Sequence, residues 1–255
     1  MKESANRNGE RASAMAALPA RHVAVGAGMT VAVIPARGGS KRIPRKNIRA
    51  FCGQPMIAWS IRAAAGSGCF DRVIISTDDA EIADVARGLG AEVPFLRPAE
   101  LSDDHATTID VMRHAALWLG SDAPLCCLYA TAPFVRAADL QAGKALLESG
   151  AWDYAFPVTG FEFPIQRALR RAADGTVAMF DPQYERTRSQ DLEEACHDVG
   201  QFYWGRAEAW REGRSVYGPR STTLTLPRHR VQDIDTPEDW LRAELMFAAL
   251  EARDA

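Results

Sequence analysis

From Val31 onward, short apolar runs alternate with longer stretches in which apolar residues recur every three or four positions. The first period suits buried strands and the second amphipathic helices, and their alternation predicts parallel β-α units. "VAVIPA" (31–36) reads as a strand. "PMIAWSIRAAAGSG" follows as a helix opened by Pro55, with Met56, Ile57, Trp59, Ser60, Ile61 and Ala64 on one face and Gly66 and Gly68 stopping it. "RVIIST" is the next strand and "DDAEIADVARGLG" the next helix, where Asp78 and Glu81 have the spacing of a capping box. "EVPFL" predicts a short strand, "TTIDVMRHAALWLG" a helix, "PLCCLYA" a strand, "AADLQAGKALLESG" a helix and "YAFPVT" a strand. The fold class that emerges is α/β, a doubly wound, mostly parallel Rossmann-like sheet, whose ligands are expected beyond the carboxyl ends of the strands.

The rhythm breaks between Gly160 and Asp198. Short alternating segments, prolines, many arginines and an Asp174-Gly175 hairpin signal predict an inserted lobe over about 160–198. "VGQFYWG" then resumes as a strand, "RAEAWREG" as a short helix, and "RHRVQDIDTPEDWLRAELMFAALEA" as a last strand and a C-terminal helix. One domain is expected over 29–255. Residues 1–28, polar and Ala-rich without a sustained period, are predicted to be a disordered extension. Pro19, Arg21 and His22 interrupt the apolar run that a signal peptide would need.

Composition narrows the possibilities further. The chain of 255 residues is 47% hydrophobic, enough for a full core. Its net charge of −3 argues against a protein that coats nucleic acid. No stretch approaches the roughly 20 apolar residues of a membrane span. Five cysteines, odd in number and without C-x-x-C spacing, speak against a disulfide framework or a zinc site, so buried inert thiols and a cytoplasmic location are expected.

Against that ordinary background, "PARGGSKRIPRKN" (35–47) places Arg37, Lys41, Arg42, Arg45 and Lys46 where the first strand gives way to the first helix. Gly38 and Gly39 can bring backbone N–H groups close to an anion there, so the loop reads as a polyphosphate cradle. Its spacing matches neither the Walker pattern nor G-x-G-x-x-G. A second constellation is "DIDTPEDW" (233–240). Thr236, Pro237 and Asp239 have the spacing of a helix cap, first turn and capping-box acid. Asp233 and Asp235 have no such duty; two apart in an extended segment, they would face one side. Paired carboxylates suit Mg²⁺, which takes one or two of them with phosphate oxygens and waters, although two solvated turn acids would look the same. A positive loop and a carboxylate pair brought together by one sheet would support phosphoryl or nucleotidyl transfer.

"IPARGGSKRIPRKN", "GQPMIAWSI", "VIISTDDAEIADVA" and "DIDTPEDW" together resemble the cytidylyltransferases that activate nonulosonic acids, the family of the CMP-sialic acid synthetases, over nearly all of 30–251. "RIPRKN", "AEVPFLRPAELSDD", "LYATAPFV" and "DVGQFYWG" are most similar to its pseudaminic acid branch. The resemblance implies that CTP and a nine-carbon α-keto acid sugar, pseudaminic acid, yield the CMP-sugar and pyrophosphate with Mg²⁺, for surface glycan or flagellin glycosylation. It implies triphosphate contacts from Arg37 and Lys41, with Asp235 the third catalytic residue. Nucleotide contacts would come from Ala36, Gly38, Gly39, Ser40, Lys46, Asn47, Ser76 and Asp78, and metal ligation from Asp233 and Asp235. Where other branches carry a glutamine-containing "LLQPTSP"-like segment, this chain has Tyr129 and Thr131, which become the expected sugar contacts. The lobe corresponds to a region used for homodimerisation and for reaching a partner's sugar site, through Arg188 and Gln190, with Gln201 facing the sugar.

Alternatives within the same chemistry are CMP-N-acetylneuraminate or CMP-legionaminate synthesis. From another class comes an inactive nucleotide-binding module, against which Lys41, Asp233 and Asp235 weigh. Molybdenum-cofactor guanylyltransferases and sugar-1-phosphate nucleotidyltransferases share the loop type but lack "KRIPRKN". His197 beside Asp198 has the composition of a dyad, yet a lone histidine in a polar turn reads more readily as structural.

Overall fold

The computed structural model describes residues 28–254; the expectation for the N-terminal extension falls outside them. Strand β1 (Val31–Pro35) pairs in parallel with β4 (Arg72–Ser76) on one side and β5 (Leu125–Leu128) on the other. Two short strands, β2 (Ala50–Phe51) and β3 (Gln54–Pro55), make a tight hairpin ahead of helix α1 (Met56–Ser67). Helices α2 (Ala80–Gly88), α3 (Thr108–Leu119) and α4 (Ala137–Glu148) follow β4 and β5 as the alternation predicts.

Among the described residues the main sheet has seven strands. Its path runs β11 (Ser221–Thr225), β6 (Tyr154–Gly160), β10 (Phe202–Gly205), β5, β1, β4, and β9 (Cys196–Asp198) pairs with β6 beside it. β10 runs antiparallel to both its neighbours and β9 antiparallel to β6, so the sheet is mostly parallel. Strand order reverses at β1, and the carboxyl ends of β5, β1 and β4 lie side by side, the place where doubly wound sheets hold ligands.

Period-two alternation in β1 serves both faces. Ala32 and Ile34 join the cluster with Ile57, Ile61, Ile82 and Leu140, while Val31 and Val33 join Met112, Trp118 and Trp210 on the other side. Trp210 belongs to the short helix α5 (Ala207–Glu212). A third cluster matters most to the site: Ile43 from the cationic loop, Phe51, Met56, Phe134 and Ile234 pack against Trp240 and Phe247 of the final helix α6 (Pro237–Asp254). Ile43 and Ile234 are fully buried, so each pins a charged neighbourhood to one small core.

Between β6 and β9 the chain forms a hairpin, β7 (Leu169–Arg171) against β8 (Val177–Met179), turned at Gly175 with φ +87° as the Asp-Gly signal predicts. Four expectations need correction. "EVPFL" is no strand: Glu92 makes an isolated bridge to Ile74 of β4, and Leu96 one to Thr77 just past it. The last strand is "STTLT" (221–225), whereas 228–235 is a 3-10 turn followed by irregular chain, so Asp233 and Asp235 share no strand face. The N-cap of α2 is Asp79, whose carboxylate accepts from the Ile82 N–H; Asp78 stands free of that duty. Of the cysteines, Cys69, Cys126 and Cys127 are buried, and burial pushes the Cys126 and Cys127 thiols far up, but Cys52 and Cys196 are exposed.

Truncating Ile43 should leave a cavity beneath the cationic loop, and Ile43→Ala is expected to cost about 2–5 kcal/mol. Urea unfolding of the two proteins checks it; an unchanged midpoint would mean that the loop folds without its apolar pin.

Candidate active site

A cleft of about 530 Å³ opens at the carboxyl ends of β5, β1 and β4. Arg37, Ser40, Lys41, Arg42, Lys46 and Asn47 of the cationic loop line it, opposite Arg97, Asp103, Asp104, Thr107 and Thr108, with Tyr129, Thr131 and Asp235 completing the walls.

The loop is held by counter-charges from three separate elements. Asp104 accepts from Arg37 at 2.8 Å and Lys41 at 2.5 Å. Asp235 pairs with Arg42 at 2.7 Å and Lys46 at 3.3 Å, and Lys46 also donates to the Ile234 carbonyl at 2.7 Å. Arg45 turns away from the cleft and grips Asp79 with both terminal nitrogens and Glu81 with one. It adopts a left-handed backbone, φ +56°, and through its carbonyl caps the turn at Ile48 and Arg49. Asn47, buried, donates its side-chain amide to the Arg37 carbonyl at 2.9 Å, while its own carbonyl accepts from Ile57 at the start of α1. The loop is therefore tied to both strand and helix.

Gly38 owes its identity to a close approach. A Cβ there would stand 2.5 Å from the Asp79 carboxylate, and its N–H donates to Asp78 at 3.1 Å. Its backbone donor thus faces an anion, though an internal one. Gly39 has open space around it, and the Ser40 N–H is taken by the Gly38 carbonyl.

Of the expected nucleotide residues, Arg37, Ser40, Lys41, Lys46 and Asn47 line the cleft, whereas Ala36, Gly38, Gly39, Ser76 and Asp78 do not. Ala36 donates from its backbone to the Ser76 carbonyl at 3.0 Å, and the fully buried Ser76 hydroxyl has no hydrogen-bond partner among the described residues. Tyr129 and Thr131 line the cleft where a sugar was expected. Asp235 lines it too, but Asp233 does not; enclosure of its carboxyl by the surrounding chain, then the Asp235 charge, raise the Asp233 pKa. Gln201 is buried, donates to the Arg230 carbonyl at 2.8 Å and is not among the residues that line the cleft. Arg188 pairs with Asp191 at 2.7 Å and Gln190 lines a separate groove beside Phe161 and Phe163, both away from this chain's own cleft. His197 points its Nδ1 at the Asp198 backbone carbonyl, so no side-chain dyad forms. The capping box at Thr236 and Asp239 is present as expected.

Sequence reasoning missed Arg97. Only 5% exposed, it donates to the Ser76 carbonyl at 3.2 Å and the Ser102 hydroxyl at 3.0 Å, and faces Asp78 at 3.9 Å. Burial lowers its pKa to about 10, so it stays cationic at neutral pH. The available signal was an arginine directly after the apolar run "PFL".

The family model described as "Cytidylyltransferase" matches residues 31–196. A pseudaminic acid cytidylyltransferase of Campylobacter jejuni is 44% identical over 219 residues, covering 84% of this chain and 94% of that protein. A CMP-N,N'-diacetyllegionaminic acid synthase of Legionella pneumophila is 32% identical over 237 residues, covering 85% and 95%. Among solved structures, the CTP complex of CMP:2-keto-3-deoxy-manno-octonic acid synthetase superposes with a TM-score of 0.65 at 18% identity, covering 89% of this chain and 100% of that one, a likeness of fold.

The Arg45 guanidinium holds the Asp79 carboxyl down to about 2. Its stabilising contribution is therefore complete above the ordinary carboxyl pKa near 4 and is lost as pH falls toward 2. Asp79→Asn keeps an N-cap acceptor but removes the charge. The variant should be less stable than wild type at pH 7, and denaturant midpoints should show the gap closing between about pH 4 and 2; a gap independent of pH would sink the assignment.

Proposed function

The chain belongs to the cytidylyltransferase family, and within it we propose that the protein joins CTP to pseudaminic acid, giving CMP-pseudaminic acid and pyrophosphate. What carries this reading is the convergence in one cleft of Arg37, Lys41, Arg42 and Lys46 with Asp235, in a chain 44% identical to a pseudaminic acid cytidylyltransferase. The sugar's anomeric oxygen attacks the α-phosphorus, the bond from that phosphorus to the bridging oxygen breaks, pyrophosphate leaves with the bridging oxygen, and the hydroxyl proton is released. Charge grows on the departing pyrophosphate, where the cations of the loop stabilise it. Arg37 and Lys41 exchange Asp104 for triphosphate oxygens, at little cost because both pairs are exposed. Asn47 fixes the loop's shape, and the buried Arg97 supplies a positive charge that does not move. Ala36, Gly38, Gly39, Ser40, Ser76 and Asp78 shape the nucleotide end, and Tyr129 and Thr131 meet the sugar.

The donor set suits Mg²⁺. Asp235, with Asp233 two residues earlier, offers hard oxygens, and among the described residues no group of three or more His, Cys, Asp or Glu could hold a metal unaided. A pair of this kind fits an ion that brings phosphate oxygens and waters as its remaining ligands. Bound there, the ion would neutralise phosphate charge.

A homodimer fits the hairpin region, where Phe163 (76% exposed), Leu169, Val177 and Phe180 leave apolar surface open for a partner copy to cover. Arg188 and Gln190 lie in the same region and would serve the partner's sugar site. Sedimentation equilibrium should give twice the chain mass, and Phe163→Glu should shift it toward the monomer; a wild-type monomer at micromolar concentration would overturn the dimer.

Pyrophosphate release from CTP and Mg²⁺, with pseudaminic, legionaminic and N-acetylneuraminic acids offered separately, tests the activity. Release is expected with pseudaminic acid, and Asp235→Asn should lower it about a hundredfold or more with the fold intact. Release with another sugar alone would move the substrate to that branch, and CTP binding without turnover on any of them would favour the inactive module.

A further inference from the structure

Beside the cleft, and sharing Thr107, Thr108 and Tyr129 with it, opens a recess of about 230 Å³. Its remaining walls are Ile109, Tyr203, Trp210, Val216 and Tyr217, with Ser215; among the described residues no charged side chain lines it. The recess therefore suits a small, mostly apolar substituent, with phenolic oxygens as its polar contacts.

Two of its tyrosines share one anchor. The Asp198 carboxylate does not line the recess, yet one of its oxygens accepts from the Tyr203 hydroxyl and, at 2.7 Å, from the Tyr217 hydroxyl. Its other oxygen accepts from the Gly200 N–H at 2.9 Å. Tyr203 is buried, packed 5.6 Å from Tyr129 and 5.6 Å from Phe156 between ring centroids. Tyr217 is different: 67% exposed, on the segment between α5 and β11, it touches Phe156 edge-on at 5.9 Å, and packing alone gives it little orientation. Its bond to Asp198 is what fixes the ring. Burial, followed by neighbouring acid groups, raises the pKa of Tyr203 strongly, and burial with the Asp198 bond takes Tyr217 to about 12, so both phenols remain neutral donors at working pH. Asp198 itself is held by β9, which pairs it with Val158 of β6. Neither the nucleotide cleft nor His197 uses its carboxylate.

We infer that Asp198 is a positioning residue that sets sugar specificity: by tying Tyr203 and Tyr217 together it shapes the recess that receives one substituent of the acceptor sugar. The inference rests on the reading of this protein as a nonulosonic acid cytidylyltransferase. Acting through two rings, Asp198 governs how the acceptor sits and leaves the CTP contacts alone.

The test is steady-state pyrophosphate release by wild type, Asp198→Asn and Tyr217→Phe, with CTP and each of pseudaminic, legionaminic and N-acetylneuraminic acids, alongside thermal midpoints. A purely structural Asp198 would move stability, or both KM values together. A positioning role should raise KM for the preferred sugar about tenfold in Asp198→Asn and several-fold in Tyr217→Phe, while KM for CTP shifts less than about twofold. Preference among the three sugars should narrow in step. An unchanged sugar KM in both variants, or equal changes for sugar and CTP, would overturn the role of Asp198 while leaving the activity standing. A wild-type protein silent with all three sugars would overturn the activity and this inference with it. Should Asp198→Asn fail to fold, Tyr217→Phe, which keeps its ring and loses only the hydroxyl, decides the matter alone.

Discussion

Five cationic side chains within ten residues repel one another, and that repulsion must be answered before the loop can have a shape. The answer comes from distant parts of the chain: Asp104 ahead of α3, Asp79 and Glu81 at the start of α2, and Asp235 ahead of α6. Each acid belongs to an element that the sheet has already carried to its carboxyl edge. Neutralising the loop and assembling the cleft are thus one event. The apolar cluster under Ile43 and Ile234 completes it, because it brings Asp235 within reach of Arg42 and Lys46.

The six ion pairs differ in permanence. Arg45 meets Asp79 through two contacts and Glu81 through a third, in a backbone conformation unusual for a residue with a side chain, and the close approach of Gly38 to Asp79 packs the same corner. That arginine is an anchor. Lys41, 80% exposed on its side chain, sits at the other extreme, and a pair in open water contributes little. Such a cation can change partners when a stronger anion arrives. One charge-rich motif therefore holds both a fixed anchor and exposed cations free to exchange partners.

How far this could be read from sequence depended on whether the decisive physics was local. Strand and helix periods, the Thr236–Asp239 capping box and the Asp-Gly turn are local and appear where expected. Asp78 and Asp79 are adjacent acids, and spacing to Glu81 favoured the wrong one as cap; in the fold Asp79 has the extended backbone of an N-cap and its carboxylate accepts from the Ile82 N–H. "STTLT" is too polar to announce a buried strand, yet parallel pairing with β6 makes it one. Gln201 stands next to the apolar run "FYW", and nothing in that spacing says that its amide turns inward to the Arg230 carbonyl. The cationic loop and Asp235 were legible because their chemistry is concentrated in a few residues. Arg97 was not, because its importance lies in burial.

Arg97 also shows what the exposed cations cannot do. Taking a guanidinium out of water is costly, and its partners, a carbonyl, a hydroxyl and a carboxylate at 3.9 Å, return only part of that cost. The lowered pKa records the imbalance, yet the group stays charged. A cation held this way cannot rotate off to solvent or be screened as Lys41 can, so it contributes a fixed positive field at the wall of the cleft. At a site for an anion, exposed cations that exchange partners and a buried one that cannot would be complementary: the first free to meet an anion from water, the second oriented beforehand, with no reorganisation left to make.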